Sequence, residues 1–237
     1  MSNKVLITGN SSGLGFGLTE VYLEENWQVF GLSRRGCPIE HEQLRDQQCD
    51  LSDSSAIAPA LSGLLNSVER LDMVFLNAGI FGELHRLAEI SEQEYQQVMQ
   101  INVWANKHIL DALYRNGVEI RQVIAISSGA AMSANIGWGS YAISKIALNK
   151  LMALYANEFS TTHFCSLAPG LVDTGMQDYL CDEELHSITE YPLLKKFRDA
   201  RGTEVMPGGK EAAQAIFSIT GQLEQLESGS YADIRNL

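Results

Sequence analysis

The chain is 237 residues long, 45% hydrophobic and 19% charged, a balance that suits one globular domain with a sizeable core. Its formal net charge of −12 argues against non-specific binding to nucleic acid or to anionic membrane surfaces. The four cysteines (Cys37, Cys49, Cys165, Cys181) are scattered without a C-x-x-C pair, and no H-E-x-x-H occurs, so neither a disulfide framework nor a metal site is expected.

Val5-Leu6-Ile7 follows the first residues too closely to be the apolar stretch of an export signal. No apolar run approaches the ~20 residues that cross a bilayer, so a cytoplasmic protein without a membrane partner is expected. Residues 4–8 read as a short buried strand. The turn Thr8-Gly9-Asn10-Ser11-Ser12-Gly13-Leu14-Gly15 follows it, and an amphipathic helix covers about 16–25. Strand, glycine turn and helix together present backbone N–H groups and a helix N-terminus to a pyrophosphate. Gly9, Ser11, Ser12, Gly13, Leu14 and Gly15 are therefore candidate cofactor contacts, at the spacing T-G-x-x-x-G-x-G rather than G-x-G-x-x-G. A second strand, 28–33, ends in Ser33-Arg34-Arg35, where NAD-binding units carry an acidic residue for the adenosine 2′-hydroxyl. A carboxylate would repel a 2′-phosphate, whereas a guanidinium grips it with charge-assisted bonds, so NADPH is expected over NADH.

Residues 47–51 read as a third strand with Asp50 and Leu51 at its end beside the adenine. Ser52 or Asp53 can N-cap a helix over 56–68, striped by Ile57, Leu61, Leu64 and Leu65. A fourth strand, 72–76, is continuously apolar, as a parallel sheet covered on both faces requires. It runs into Asn77-Ala78-Gly79, small enough for a ribose or a neighbouring backbone to approach. Ser91-Glu92-Gln93-Glu94 is a capping box that opens a long helix to about 115. Asn102 lies inside that helix, where Asn is unfavourable, so a structural hydrogen bond or a functional role must offset its cost. A fifth strand, 122–127, places Ser128 at its end, and a small-residue loop over 129–139 follows.

The next helix, to about 159, carries Tyr141-Ala142-Ile143-Ser144-Lys145. Tyr and Lys four residues apart leave one helix face a turn from each other. The cation is expected to favour phenolate and lower the Tyr pKa from its reference of ~10, making Tyr141 a proton donor to a carbonyl oxygen near neutral pH. Ile146, Leu148, Leu151, Met152, Leu154 and Tyr155 on the same helix read as core or subunit contact. A sixth strand, 163–167, runs into Ala168-Pro169-Gly170-Leu171-Val172-Asp173-Thr174. Residues 175–208 read as one or two short helices forming a substrate lid with Tyr179, Tyr191, Leu194 and Phe197 in reach of the site. A last helix over 211–220 and a seventh strand over 229–234 complete the chain. The alternation of strands and helices predicts one doubly wound (Rossmann) α/β domain, with a seven-stranded parallel sheet and helices on both faces. Ligands of such sheets bind outside the carboxyl ends of the strands, and Gly9, Arg34, Asp50, Asn77, Ser128 and Pro169 all fall there.

Thr8-Gly9-x-x-x-Gly13-x-Gly15, Asn77-Ala78-Gly79, Asn102, Ser128, Tyr141-x-x-x-Lys145 and Pro169-Gly170 resemble the short-chain dehydrogenase/reductase family over essentially the whole chain. The resemblance implies hydride transfer between a nicotinamide and a small-molecule carbonyl or alcohol, in a homodimer or homotetramer. It makes Tyr141 the general acid and gives Lys145 a bond to the nicotinamide ribose. Ser128 becomes a second donor to the carbonyl oxygen, Asn102 the holder of a relay water, and Val172 and Thr174 partners of the carboxamide. Ser127-Ser128-Gly129-Ala130-Ala131, Gly137-Trp138, residues 169–176 and the tail around Tyr231-Ala232-Asp233 are similar to the sepiapterin reductase and bacterial benzil reductase branch. An aspartate near the end anchors a pterin in that branch, and Asp233 fits either that role or a structural one. The leading expectation is an NADPH-dependent reductase of a ketone or α-dicarbonyl. A dinucleotide-binding sensor and a nucleotide-sugar epimerase or dehydratase are the competing readings; a sensor need not keep the acid, and the chain is short for the third.

Overall fold

The computed structural model describes residues 2–237. Seven strands, β1 (Lys4–Thr8), β2 (Gln28–Ser33), β3 (Leu44–Gln48), β4 (Arg70–Leu76), β5 (Glu119–Ile126), β6 (His163–Ala168) and β7 (Ser230–Asp233), pair in the order β3-β2-β1-β4-β5-β6-β7. Every pairing is parallel, with Val5 opposite Val29 and Met73, and Val123 opposite Phe164. The order reverses between β1 and β4, which opens the crevice where such sheets bind ligands.

Side chains alternate across a strand, and that alternation builds two cores. Leu6 of β1 and Val74 of β4 face the helices α2 (Ser54–Leu64), α4 (Ala105–Arg115) and α5 (Gly139–Glu158), meeting Ile57, Ile109 and Met152. Val5 and Ile7 of β1 face the other way, onto Leu18 and Tyr22 of α1 (Gly13–Glu24) and Ile216 of α8 (Gly209–Leu223). The continuous apolar runs of the central strands are the consequence of a sheet covered twice. A third, smaller cluster lies off the sheet's carboxyl edge and gathers Phe81, Trp138, Tyr141, Leu180, Leu194 and Phe197.

The sequence placed β1 and β2 correctly and misplaced β3 by three residues. The sheet ends at β3, so Arg45, Asp46, Gln47 and Gln48 stay exposed, while the apolar Cys49 and Leu51 are buried in the turn beyond it. Helix α2 starts at Ser54, with Asp53 accepting from Ser55 N–H, and stops four residues short of expectation; Ser67 then turns left-handed at φ 68°. The long helix expected from Ser91 is interrupted. It comprises α3 (Glu92–Met99), a π-helical turn Gln100–Trp104, and α4. The region 175–208 holds two short helices, α6 (Gly175–Cys181) and α7 (Leu193–Ala200). Among the described residues no helix is long and apolar enough to cross a membrane.

Candidate active site

One cleft of about 490 Å³ runs along the carboxyl edge of the sheet. The loops after β1 and β4 form its floor and are stitched together. Thr8 Oγ1 accepts from the N–H groups of Asn77 and Ala78 at 3.0 Å each, and Asn77 Nδ2 donates to Thr8 O at 2.9 Å. Gly15 lies so close beneath them that a Cβ there would stand 2.3 Å from Gly9 O and 2.4 Å from Asn77 Nδ2. Two glycine motifs far apart in sequence are therefore one packed unit. Ser12, at the N-cap of α1, makes no side-chain capping bond, which leaves first-turn N–H groups open to an anion.

Ser11, Ser12, Gly13, Leu14, Gly79, Pro169, Gly170, Val172 and Thr174 line the same cleft. At its far end Ser33 is buried and its Oγ has no partner, while Arg34 and Arg35 form the rim. Arg35 reaches back to Ser12 Oγ at 2.9 Å and Ser11 Oγ at 3.4 Å, so its guanidinium sits over the glycine turn. Asp50 and Leu51 close this end, and Asp50 is held below the usual carboxylate range chiefly by the Ser52 backbone N–H. An orphaned hydroxyl, two guanidiniums and an open helix terminus suit an adenosine dinucleotide.

The reacting end is built on β5 and α5. Ser128 follows β5, and its Oγ accepts from Ala130 N–H at 3.1 Å, so its proton remains free to donate. Tyr141 and Lys145 sit one turn apart on α5, both buried and both lining the cleft. Lys145 Nζ donates to Ile126 O at 2.8 Å and stands 5.6 Å from the centre of the Tyr141 ring. The expected lowering of the Tyr141 pKa is corrected here. Burial pushes the phenol up to about 12, with a hydrogen bond from Ser128 pulling the other way, and the same burial brings Lys145 down to about 8. Desolvation outweighs the charge pairing because both groups are buried and the ammonium spends a bond on the β5 carbonyl. At neutral pH the pair is a neutral phenol beside a charged lysine, the form that can give up a proton.

Asn102 does not line the cleft. It sits fully buried on the π-helical turn, where Oδ1 accepts from Ile80 N–H at 2.8 Å. Its Nδ2 donates to Ile80 O at 2.8 Å and to Ser144 Oγ at 2.9 Å, and Ser144 Oγ donates to Tyr141 O at 2.7 Å. The side chain clamps the loop after β4 to the turn of α5 that carries Tyr141. Gly79 permits the approach, since a Cβ there would lie 3.2 Å from Asn102 Oδ1 and 3.3 Å from Lys145 Nζ. Ser144 was not singled out from the sequence, nor was the true use of Glu94. Ser91 Oγ caps Glu94 N–H at 3.1 Å, but Glu94 does not return the bond. Its carboxylate instead accepts from Glu83 N–H and Ser140 Oγ, both at 3.1 Å, and so forms half a capping box and a second tie to α5.

The wall beyond Tyr141 is aromatic. Trp138 meets Phe81 edge-on at 4.8 Å and Phe197 at 5.4 Å, and Met176, Leu180 and Leu171 complete it. Of the aromatic and apolar residues expected from the 175–208 segment, Phe197 alone lines this cleft. Tyr191 and Leu194 are buried behind it, and Tyr179 accepts from Leu84 N–H at 3.1 Å, fastening α6 to the loop after β4. Asp233 is committed to a two-pronged ion pair with Arg235, at 2.8 and 2.5 Å, and lies outside the cleft lining. Glu83, His85 and Glu94 converge nearby. Each ring nitrogen of His85 faces a different carboxylate, Glu83 at 3.4 Å and Glu94 at 3.5 Å.

The family model described as short chain dehydrogenase matches residues 3–185. The chain belongs to the short-chain dehydrogenase family. As a member it is a nicotinamide-dependent oxidoreductase. Among similar proteins is a benzil reductase, (S)-benzoin forming, of Bacillus subtilis (strain 168), 27% identical over 217 residues that span 86% of this chain and 89% of that one. A short chain dehydrogenase family protein from Francisella tularensis subsp. tularensis SCHU S4 superposes with a TM-score of 0.82 at 21% identity, covering 99% of this chain and 97% of that one. A 3-ketoacyl-(acyl-carrier-protein) reductase from Brucella melitensis, complexed with NADH, has a TM-score of 0.77 at 18% identity over 98% of this chain and 96% of that one. The same fold holds NADP in ElxO, with a TM-score of 0.77 at 18% identity over 99% of this chain and 97% of that one. In this short-chain dehydrogenase, one cleft is lined by the Ser128 hydroxyl, the Tyr141 phenol and the buried Lys145 ammonium together with the glycine turn after β1.

Proposed function

We propose that the protein is an NADPH-dependent carbonyl reductase that converts a ketone or α-dicarbonyl to the alcohol, with Tyr141 as general acid. The observation that carries this reading is the joint placement of Ser128, Tyr141 and Lys145 on the cleft between the dinucleotide cradle and an aromatic wall. When bound, the dihydronicotinamide supplies a hydride. The chain's own residues do the rest. Ser128 donates to the carbonyl oxygen and fixes it where charge develops. Tyr141 gives its phenolic proton to that oxygen, and the Lys145 cation stabilises the phenolate left behind. The Asn102 side chain acts by position, holding Ile80 and α5 in register with both amide protons engaged, which leaves a relay water to its carbonyl oxygens.

Ser33, Arg34 and Arg35 support NADPH over NADH, since the orphaned hydroxyl and two guanidiniums would meet a 2′-phosphate and β2 ends in Ser33 rather than an acidic residue. Gly9 to Gly15, Asp50, Leu51, Asn77 to Gly79, Pro169, Gly170, Val172 and Thr174 form the rest of the cradle. Residues 175–208 act as the substrate lid of this single domain, through α6 and Phe197. Helix α5 leaves Ile143, Ile146 and Leu154 exposed at helical spacing, a stripe that a second copy of the chain would cover in a homodimer or homotetramer.

Apolar and aromatic walls around one proton-donating pair suit a flat aryl dicarbonyl better than a sugar, which needs many convergent donors and acceptors. The test is a panel of aryl α-diketones, small aldehydes and sugars with NADPH, followed by nicotinamide absorbance. The aryl diketones are expected to show the highest kcat/KM. Trp138→Ala should raise KM for them while leaving NADPH affinity nearly unchanged. Preference for a small hydrophilic ketone would overturn the substrate reading, and no turnover of any carbonyl would favour the sensor.

A further inference from the structure

Gln177 has no role in the mechanism above, yet it is placed as a functional residue. It lies on α6 and is buried to more than nine-tenths, and it lines the cleft that holds Ser128, Tyr141 and Lys145. Its Oε1 is sealed from solvent and has no hydrogen-bond partner. Leu180, one turn on along α6, packs in the cluster of Trp138, Tyr141 and Phe197, and helical spacing puts Gln177 on the same face of α6. A buried, unpartnered carboxamide destabilises a fold, so a group that keeps it has another use for it. The same wall carries a second such atom, the buried Nε1 of Trp138, which also has no partner.

We propose that Gln177 is a specificity-determining residue that reads a second oxygen on the substrate, next to the carbonyl that Tyr141 protonates. The carboxamide turns to present its N–H to a carbonyl oxygen, or its oxygen to a hydroxyl, because both ends of the group are hydrogen-bonding. An α-dicarbonyl or an α-hydroxyketone carries that second oxygen; a simple aryl ketone does not. Burial of the amide makes the choice matter, since a substrate without the second oxygen leaves the amide unpaired. This inference rests on the carbonyl-reductase reading.

The test compares 1-phenyl-1,2-propanedione with propiophenone, which shares its skeleton and lacks the second carbonyl. The full-length wild type is set against Gln177→Met and Gln177→Leu, both of similar volume and without a hydrogen-bonding head. Both variants should lose roughly tenfold in kcat/KM for the diketone, the worth of one neutral hydrogen bond at its upper range. Their kcat/KM for propiophenone and their NADPH Kd should stay within about twofold of wild type, a change too small for one lost hydrogen bond. An equal loss on both ketones, or a weakened NADPH Kd, would assign Gln177 to the scaffold or the cofactor and overturn the proposal. Retention of the diketone preference in both variants would overturn it as well. A wild type that reduces neither ketone refutes the reductase reading itself and takes the proposal with it, a result distinct from either of the others. Should Gln177→Met melt early, the Gln177→Leu comparison decides alone.

Discussion

Replacing Asn102 with Ala removes a clamp rather than a catalytic group, and the two consequences can be told apart. The substitution deletes three hydrogen bonds, one from Ile80 N–H, one to Ile80 O and one to Ser144 Oγ. At about 1 kcal/mol net each they total about 3 kcal/mol. Ile80 is only half-buried, so water recovers part of that, and a loss of about 2–3 kcal/mol is expected. For a chain of this length that lowers the melting temperature by roughly 5–10 °C. Asn102→Asp should be worse, because it keeps the acceptor for Ile80 N–H, loses both donors and places a charge in a fully buried site. Calorimetric melting of purified protein reads the effect, with NADPH affinity measured alongside. A melting temperature within about 1 °C of wild type, combined with a large loss of turnover, would refute the clamp and return Asn102 to the proton path.

Lys145, brought down to about 8 by burial, is charged below that pH and neutral above it, while Tyr141 at about 12 stays protonated. Reductive kcat/KM should therefore be level below about pH 8 and fall with a single ionisation above it, by roughly tenfold per unit; a flat profile to pH ~10 would show that the lysine charge is not required. Arg34→Asp should weaken NADPH far more than NADH, since a phosphate partner becomes a repelling charge. Should Arg35, which already bridges to Ser11 and Ser12, be the true partner, Arg35→Asp shows the effect instead. Equal sensitivity of both cofactors to both changes would remove the arginines from 2′-phosphate recognition.

The parts of the fold legible in the sequence were those whose physics is local. Central strands with apolar residues on both faces, glycine turns at strand ends and the i, i+4 placement of Tyr141 and Lys145 all declare themselves within a few residues. What escaped depends on neighbours distant in sequence. β3 is an edge strand with exposed polar side chains, so its apolar residues mark the turn after it rather than the strand. The π-helical turn at Gln100–Trp104 has no local signature, and Asn102 advertised only that something must repay its position. Glu94 matched a capping box on spacing, yet its carboxylate is drawn away by Glu83 and Ser140. The direction of the Tyr141 shift was missed for the same reason. A motif shows which charges are adjacent, while burial, here the larger effect, is a property of the assembled site.

Tyr141→Phe tests the central claim most directly, because it keeps the ring against Phe81 and Trp138 and removes one proton donor. Reduction of an aryl α-diketone by NADPH is followed in wild type and variant at matched pH, with NADPH affinity measured by fluorescence titration. kcat/KM should fall by ~10²–10⁴-fold while NADPH binding is retained. Turnover within a few-fold of wild type would contradict it and remove Tyr141 from the proton transfer.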